Sequence, residues 1–264
     1  MQEMVHTAEP VLIRSTQGGV VTLELNRPRQ MNCLSEALLS ALDLEFGRLS
    51  VDPSVKCVVL GGKGRVFCAG HDLKEMQSKA ALEYYRWLFS MCSRVMQSIR
   101  NLPVPVIAKV QGDATAAGCQ LVATCDLAIA ADTARFAAAG VNIGSFCGTP
   151  AVAITRKVAA KRSFEMLFTG RFVDAPAAVE WGLINSIVPA AKLDAAVGEL
   201  ASKIASKSGV ALRFGKSLFY RQRELGLSDA YELATEGLAQ SLMEPDAHEG
   251  IDAFLSKREP RWND

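Results

Sequence analysis

Twice along this chain a short, wholly apolar strand runs straight into a cluster of glycines and alanines, and that pairing constrains the fold more than any other feature. The first run, Val58-Val59-Leu60, leads through Gly61-Gly62-Lys63-Gly64 to Cys68-Ala69-Gly70-His71-Asp72-Leu73-Lys74-Glu75. The second, Val106 to Val110, ends at Gly112, and the small residues Ala114 to Gly118 open a short helix that continues into Cys119 and Gln120. Apolar runs of this length bounded by turn residues read as buried strands. Small side chains let a ligand approach the backbone, and a helix N-terminus leaves N–H groups unpaired. Two such N–H groups converging on one point form an oxyanion hole, each donor contributing about 3 kcal/mol of transition-state stabilisation. Taken singly, either junction reads equally as a tight turn or a close helix packing. Gly61, Gly62 and Gly64 also lack the spacing of a dinucleotide-binding loop.

The surrounding pattern is strands mixed with helices, then a helical second half. Val11–Ile13 and Val20–Leu25 read as strands joined by Gln17-Gly18-Gly19. Ser35 is a plausible N-cap for a helix whose Leu38, Leu39, Leu42, Phe46 and Leu49 share one face. Leu82 to Ile99 makes the clearest amphipathic helix, stopped by Pro103 and Pro105. Leu127–Ala130 and Arg135–Ala137 read as further strands. Beyond Pro150 the expected helices are 151–160, 163–168, 175–181, 192–206, 210–224, 229–243 and 248–254. An α/β core over 1–200 with a helical extension over 201–264 is the simplest organisation.

A formal net charge of +1 over 264 residues gives no global field toward nucleic acid or an anionic membrane. An anionic ligand must therefore be held by a few local Lys or Arg side chains and by backbone N–H groups. Seven scattered cysteines without a CxxC pair, and three histidines far apart, argue against a metal site or a disulfide framework. Met1 to Pro10 carries no secretory pattern, and no apolar run reaches the roughly 18 residues of a membrane span. The cytoplasm is the expected location.

Gly64-Arg65-Val66-Phe67-Cys68-Ala69-Gly70-His71-Asp72-Leu73-Lys74-Glu75 resembles the first fingerprint of the crotonase (enoyl-CoA hydratase/isomerase) superfamily. Ala108 to Gln120, followed by Cys125-Asp126-Leu127-Ala128-Ile129-Ala130, resembles the second. Leu25-Asn26-Arg27-Pro28, Leu167-Phe168-Thr169-Gly170-Arg171, Trp181-Gly182-Leu183-Ile184 and Phe254-Leu255-Ser256-Lys257-Arg258 fall in that family's order, so the likeness spans roughly residues 11 to 262. The details of His71–Glu75 and Ala114–Gln120 look closest to a mitochondrial subgroup of the family.

The resemblance implies a ClpP/crotonase-like α/β fold of stacked ββα turns with a helical C-terminal trimerisation region, assembled as a homotrimer or a dimer of trimers. It implies no tightly bound cofactor, but a coenzyme A thioester as substrate or ligand. The oxyanion donors carried over are the backbone N–H groups of His71 and Ala117. Ala69, Gly70, Asp72, Leu73, Lys74 and Gly118 should line the CoA channel, with Arg29 and Cys33 beside the nucleotide end. Phe254 and Lys257 match a C-terminal contact to CoA. For Arg29 and Lys257 the plainer reading is a solvated charge.

One departure matters. A hydratase of this family uses two glutamates to position and activate water. Here those positions are Gln120 and Gly140. Gln takes up no proton at neutral pH and Gly offers no group, while general acid–base catalysis typically contributes about 100- to 10,000-fold. Efficient hydration is not expected. A non-catalytic acyl-CoA binder, or another reaction of the family (decarboxylation, isomerisation or thioester hydrolysis), stands beside the enzyme reading. His71 is the candidate for a substitute proton carrier against a structural imidazole. Asp72 reads first as a helix cap, Cys147 as an inert thiol, and Gly140 as possible room for a small anion.

Overall fold

The computed structural model describes residues 9–263; residues 1–8, on which most of the expectation of no leader rests, lie outside it, as does residue 264. Strands β1 (Leu12–Gln17) and β2 (Val20–Leu25) form an antiparallel hairpin across Gly18 and Gly19, whose φ angles of 55° and 77° suit residues without a side chain. Helix α1 (Glu36–Leu49) starts at Ser35, whose hydroxyl accepts the Leu38 N–H at 3.2 Å. The leucine and phenylalanine face expected for it is entirely buried.

The chain then winds as a repeated ββα spiral. Its first turn is β3 (Cys57–Gly62), β4 (Val66–Cys68), α2 (Leu73–Ser78) and the long α3 (Leu82–Asn101). Its second is β5 (Val106–Val110), β6 (Asp113–Thr115) and α4 (Ala117–Thr124). The third is β7 (Leu127–Ala131), β8 (Arg135–Ala137), a 3₁₀ turn over Ala139–Ile143 and α5 (Gly148–Ile154). After it come α6 (Ala160–Thr169), β9 (Val173–Asp174), α7 (Ala175–Glu180), β10 (Ser186–Val188), α8 (Leu193–Ala205), α9 (Gly209–Gln222), α10 (Leu227–Ser241) and α11 (Pro245–Leu255).

The first strand of each turn joins a six-stranded sheet in the order β1-β2-β3-β5-β7-β10, parallel throughout except for the opening hairpin. The second strand joins a four-stranded sheet, β4-β6-β8-β9. The expected α/β architecture of stacked ββα turns is what the chain adopts. Period-2 geometry explains why the first-strand segments are apolar without alternation. Val58 and Leu60 point into the main core with Phe46 and Phe67, whereas Cys57 and Val59 point the other way, against Leu193, Val197 and Ala201 of α8. Each fully buried Leu or Phe contributes on the order of 1.5–3 kcal/mol. Successive turns touch backbone to backbone: a methyl on Gly112 would lie 1.9 Å from the Arg65 carbonyl oxygen, and one on Gly118 2.0 Å from that of Cys68.

Several boundaries differ from expectation. Ala114 and Thr115 are paired in β6 and do not open the helix, because the small sheet claims them first. The segment 151–160 is divided, α5 ending at Ile154 and α6 beginning only at Ala160. The strands β9 and β10 interrupt the helical half; at two and three residues they carry too little pattern to be read. Helix α9 is pinned to the core by Lys216, whose ammonium donates to the carbonyls of Ile99 and Val104 at 2.9 Å each and pairs with Asp126 at 2.7 Å. Tyr220 donates its hydroxyl to the same carboxylate at 2.6 Å. Among the described residues no helix is long and apolar enough to cross a membrane, and no three His, Cys, Asp or Glu side chains cluster as metal ligands.

Candidate active site

The two glycine- and alanine-rich junctions meet because β4 and β6 are parallel neighbours, Cys68 lying opposite Ala114. Both strands leave the sheet at the same edge. Gly70, at φ 97°, carries the first loop over the start of α4: a methyl there would come within 3.0 Å of the Ala116 Cβ and 3.4 Å of the Ala117 nitrogen. Thr115 ties the two strands by donating its hydroxyl to the Ala69 carbonyl at 3.0 Å. Gly118 sits under this crossing, packed on the Cys68 carbonyl.

Ala116 makes the turn from β6 into α4 at φ 49°, ψ −118°. That conformation is unfavourable by about 1–3 kcal/mol for a residue with a side chain. It is held by the Ala116 N–H donating to the Ala137 carbonyl at 2.8 Å. The strain buys position for the next residue, Ala117, which begins the helix. Among the described residues, neither the His71 N–H nor the Ala117 N–H donates to a protein acceptor. An oxygen atom seated between two such amides would be polarised without any reorganisation of the chain.

His71 is half-buried, with both ring nitrogens shielded from solvent and the ring edge-on to Phe89, centroids 5.4 Å apart. Neither ring nitrogen has a hydrogen-bond partner among the described residues. Burial pushes its pKa down to about 4, so the ring is neutral at pH 7. Its neighbour Asp72 caps α2 by accepting the Lys74 and Glu75 N–H groups, and pairs with Arg27 at 3.0 Å. Burial raises the Asp72 carboxyl, but Arg27 and the Glu75 and Lys74 amides outweigh it and hold the group below its ordinary range. The other arm of Arg27 donates to the Cys33 carbonyl at 2.7 Å, so Cys33 and Asp72 are braced by one guanidinium.

Gln120 lies one helical turn after Ala117, is 4 % exposed, and accepts the Thr149 hydroxyl at 3.3 Å. Gly140 is not the open space expected of it. Its N–H donates to the Cys147 sulfur at 3.2 Å, and a methyl at 140 would come 2.9 Å from that sulfur and 3.1 Å from the Ser145 carbonyl oxygen. The room read there for a small anion is filled by Cys147. The thiol itself is raised by burial.

The remaining expected positions are more dispersed. Arg29, Leu73 and Lys74 are exposed, and the last two open α2 directly after His71 and Asp72. Phe254, 83 % exposed, and Lys257 lie at the end of α11 and make no hydrogen bond to this loop within the described residues. Two residues had no role in the sequence reading yet hold the site. Arg27 stands 45 positions from its partner Asp72. Asn32, fully buried, donates to the Lys63 and Val66 carbonyls at 2.9 and 2.7 Å and accepts the Arg27 N–H. A buried asparagine in a loop has no periodic pattern that would have revealed it.

Residues 15–264 match the family described as enoyl-CoA hydratase/isomerase. Enoyl-CoA hydratase domain-containing protein 3, mitochondrial, of Rattus norvegicus is 44% identical over 257 residues, 97% of this chain and 86% of that protein. The Homo sapiens counterpart is 43% identical over 93% of this chain and 81% of its own length. Among solved structures, an enoyl-CoA hydratase of Mycobacterium smegmatis superposes with a TM-score of 0.95 at 52% identity, covering 97% of this chain and 100% of that one. Human enoyl-coenzyme A hydratase domain-containing protein 3 does so with a TM-score of 0.93 at 42% identity, covering 96% and 100%. The relatives from rat, frog, mouse and human are named as mitochondrial, which overturns the cytoplasmic expectation drawn from residues 1–10.

Proposed function

Because this chain belongs to the enoyl-CoA hydratase/isomerase family, we propose that it binds an acyl-coenzyme A thioester and polarises the thioester carbonyl between the N–H groups of His71 and Ala117. The observation that carries this reading is the pair of unpaired amides at the exits of adjacent parallel strands. An oxyanion hole there would stabilise a thioester enolate. Arg29 and Lys74, both exposed cations, would meet the phosphates of the CoA moiety. Phe254 and Lys257 would reach CoA from a neighbouring subunit of a trimer or a dimer of trimers. The exposed apolar residues of the last two helices, Tyr231, Leu238 and Leu255 among them, suit such an assembly.

Efficient hydration is not part of the proposal. Gln120 carries no carboxylate, and Cys147 fills the position a glutamate at 140 would need. That same pair of observations favours a second reading, an acyl-CoA binder without turnover. His71 adds little to the catalytic reading: desolvation holds its imidazole neutral with a pKa of about 4, so near neutrality it is a weak base. Calorimetry with crotonyl-CoA and butyryl-CoA beside a hydration assay tests both. Binding with turnover far below that of an ordinary hydratase is expected. Failure of every acyl-CoA to bind would overturn the proposal, and hydration at ordinary rates would overturn the reading of Gln120 and Gly140.

A further inference from the structure

Behind Gln120 the chain forms a half-open cleft of about 660 Å³ between α3, α4, α5 and α9. Its wall carries Arg100, Arg156, Lys157 and Arg223, against a single carboxylate, Glu224. Glu224 is already engaged in an ion pair with Arg100. The guanidinium of Arg156 donates back to the Val152 carbonyl of its own segment at 2.8 Å. Asp126, the other carboxylate nearby, is taken by Lys216 and Tyr220.

Lys157 and Arg223 are left over. Arg223 lies over the Phe219 ring at 5.5 Å, and neither cation makes an ion pair with a carboxylate among the described residues. Lys157 is half-buried, and burial lowers its ammonium, opposed by Asp126 and reinforced by the like charges of Arg223 and Arg100. Arg156 and Arg223 are exposed, so the desolvation falls on Lys157, and a half-buried ammonium facing like charges gains from an anion beside it. Composition offers no general explanation, since the whole chain is nearly neutral.

Position says what the anion belongs to. Gln120 lines this cleft and stands one turn along α4 from the Ala117 amide. An acyl chain whose thioester oxygen sat on the two amides would extend past Gln120 toward the cations. We infer that this cleft receives the carboxylate end of a dicarboxylic acyl thioester, with Lys157 and Arg223 as the residues that select it. The inference rests on the acyl-thioester reading proposed above and narrows its substrate class.

Calorimetry on the full chain separates the two. The probes are glutaryl-CoA, its terminal methyl ester, and CoA alone, each with wild type, Lys157→Met and Arg223→Met. Glutaryl-CoA should bind at least about tenfold more tightly than the ester, the order expected of one charge-assisted hydrogen bond. That preference should collapse in both variants, with melting temperatures recorded to show that they are folded. Equal affinity of wild type for acid and ester would overturn the inference and leave the acyl-thioester reading standing. Weakening of CoA alone by either substitution would also overturn it, because the cations would then be serving the phosphates. Should either variant fail to fold, the wild-type comparison of acid with ester decides by itself. If none of the three probes binds, the acyl-thioester reading fails first.

Discussion

The sulfur of Cys147 accepts the amide N–H of Gly140 at 3.2 Å and stands where any side chain at 140 would have to go. A position that lacks a carboxylate in sequence is therefore also crowded in space, and a side chain introduced at 140 would have to displace Cys147.

The two missing carboxylates should accordingly respond differently to replacement. Gln120→Glu keeps the acceptor facing Thr149 and should raise crotonyl-CoA hydration measurably, by part of the roughly 100- to 10,000-fold that general acid–base groups contribute. Gly140→Glu should instead lower stability by about 1–3 kcal/mol through overpacking, with no gain in rate. Denaturant unfolding and a steady-state hydration assay of the two variants check this pair.

His71 should make stability fall in acid. Its pKa is about 4 in the folded chain against 6.5 for the free side chain, mainly from burial. Between those values the unfolded chain takes up a proton that the folded chain refuses, so stability is full above about pH 6.5 and declines as pH falls toward 4. The loss is on the order of 2–3 kcal/mol. Unfolding free energies of wild type and His71→Leu across that window should differ in slope, the variant lacking this component.

Ala116→Gly should stabilise the fold. Relief of a conformation costing about 1–3 kcal/mol outweighs the roughly 0.5–1 kcal/mol that glycine loses in chain entropy. A melting temperature higher by about 2–4 °C per kcal/mol gained is expected at this chain length. A lower one would mean that the Ala116 methyl contributes packing that exceeds the strain.

Lys216→Met should be among the most damaging single substitutions. It leaves the Asp126 carboxylate buried with only the Tyr220 hydroxyl and the Val106 N–H, at a cost of about 3–5 kcal/mol. Adding Asp126→Asn should recover part of that loss, because no unpaired charge then remains. A double-mutant cycle by urea unfolding measures the coupling.

Five strands of the large sheet, the α1 and α3 faces and the two junctions were legible in the sequence, because each rests on local pattern: period 2, period 3.6, or small residues after an apolar run. The short strands β4, β6, β9 and β10 were not, since at two or three residues each they exist only because the sheets supply partners for them. At the site, Ala69, Gly70, His71 and Ala117 came from the family resemblance and not from the junctions alone, and the loop carrying Ala69 and Gly70 packs on the start of α4 at Ala116 and Ala117. Side-chain partnerships across long separations were not legible. Arg27 with Asp72, Thr149 with Gln120, and Lys157 beside Arg223 are adjacent only after folding. Gly140 was readable as an absence of chemistry, but its occupation by Cys147 depends on how the 3₁₀ turn over Ala139–Ile143 doubles back.

The grip proposed for the thioester consists of main-chain atoms, so only a replacement by proline, which lacks the amide hydrogen, would delete a donor. His71 and Ala117 can change identity and still present a nitrogen, provided Gly70 and Gly118 preserve the crossing beneath them. Side chains around the reacting carbons are under no such protection. A lineage built this way can exchange one chemistry for another, or abandon turnover altogether, while inheriting the same hold on its ligand.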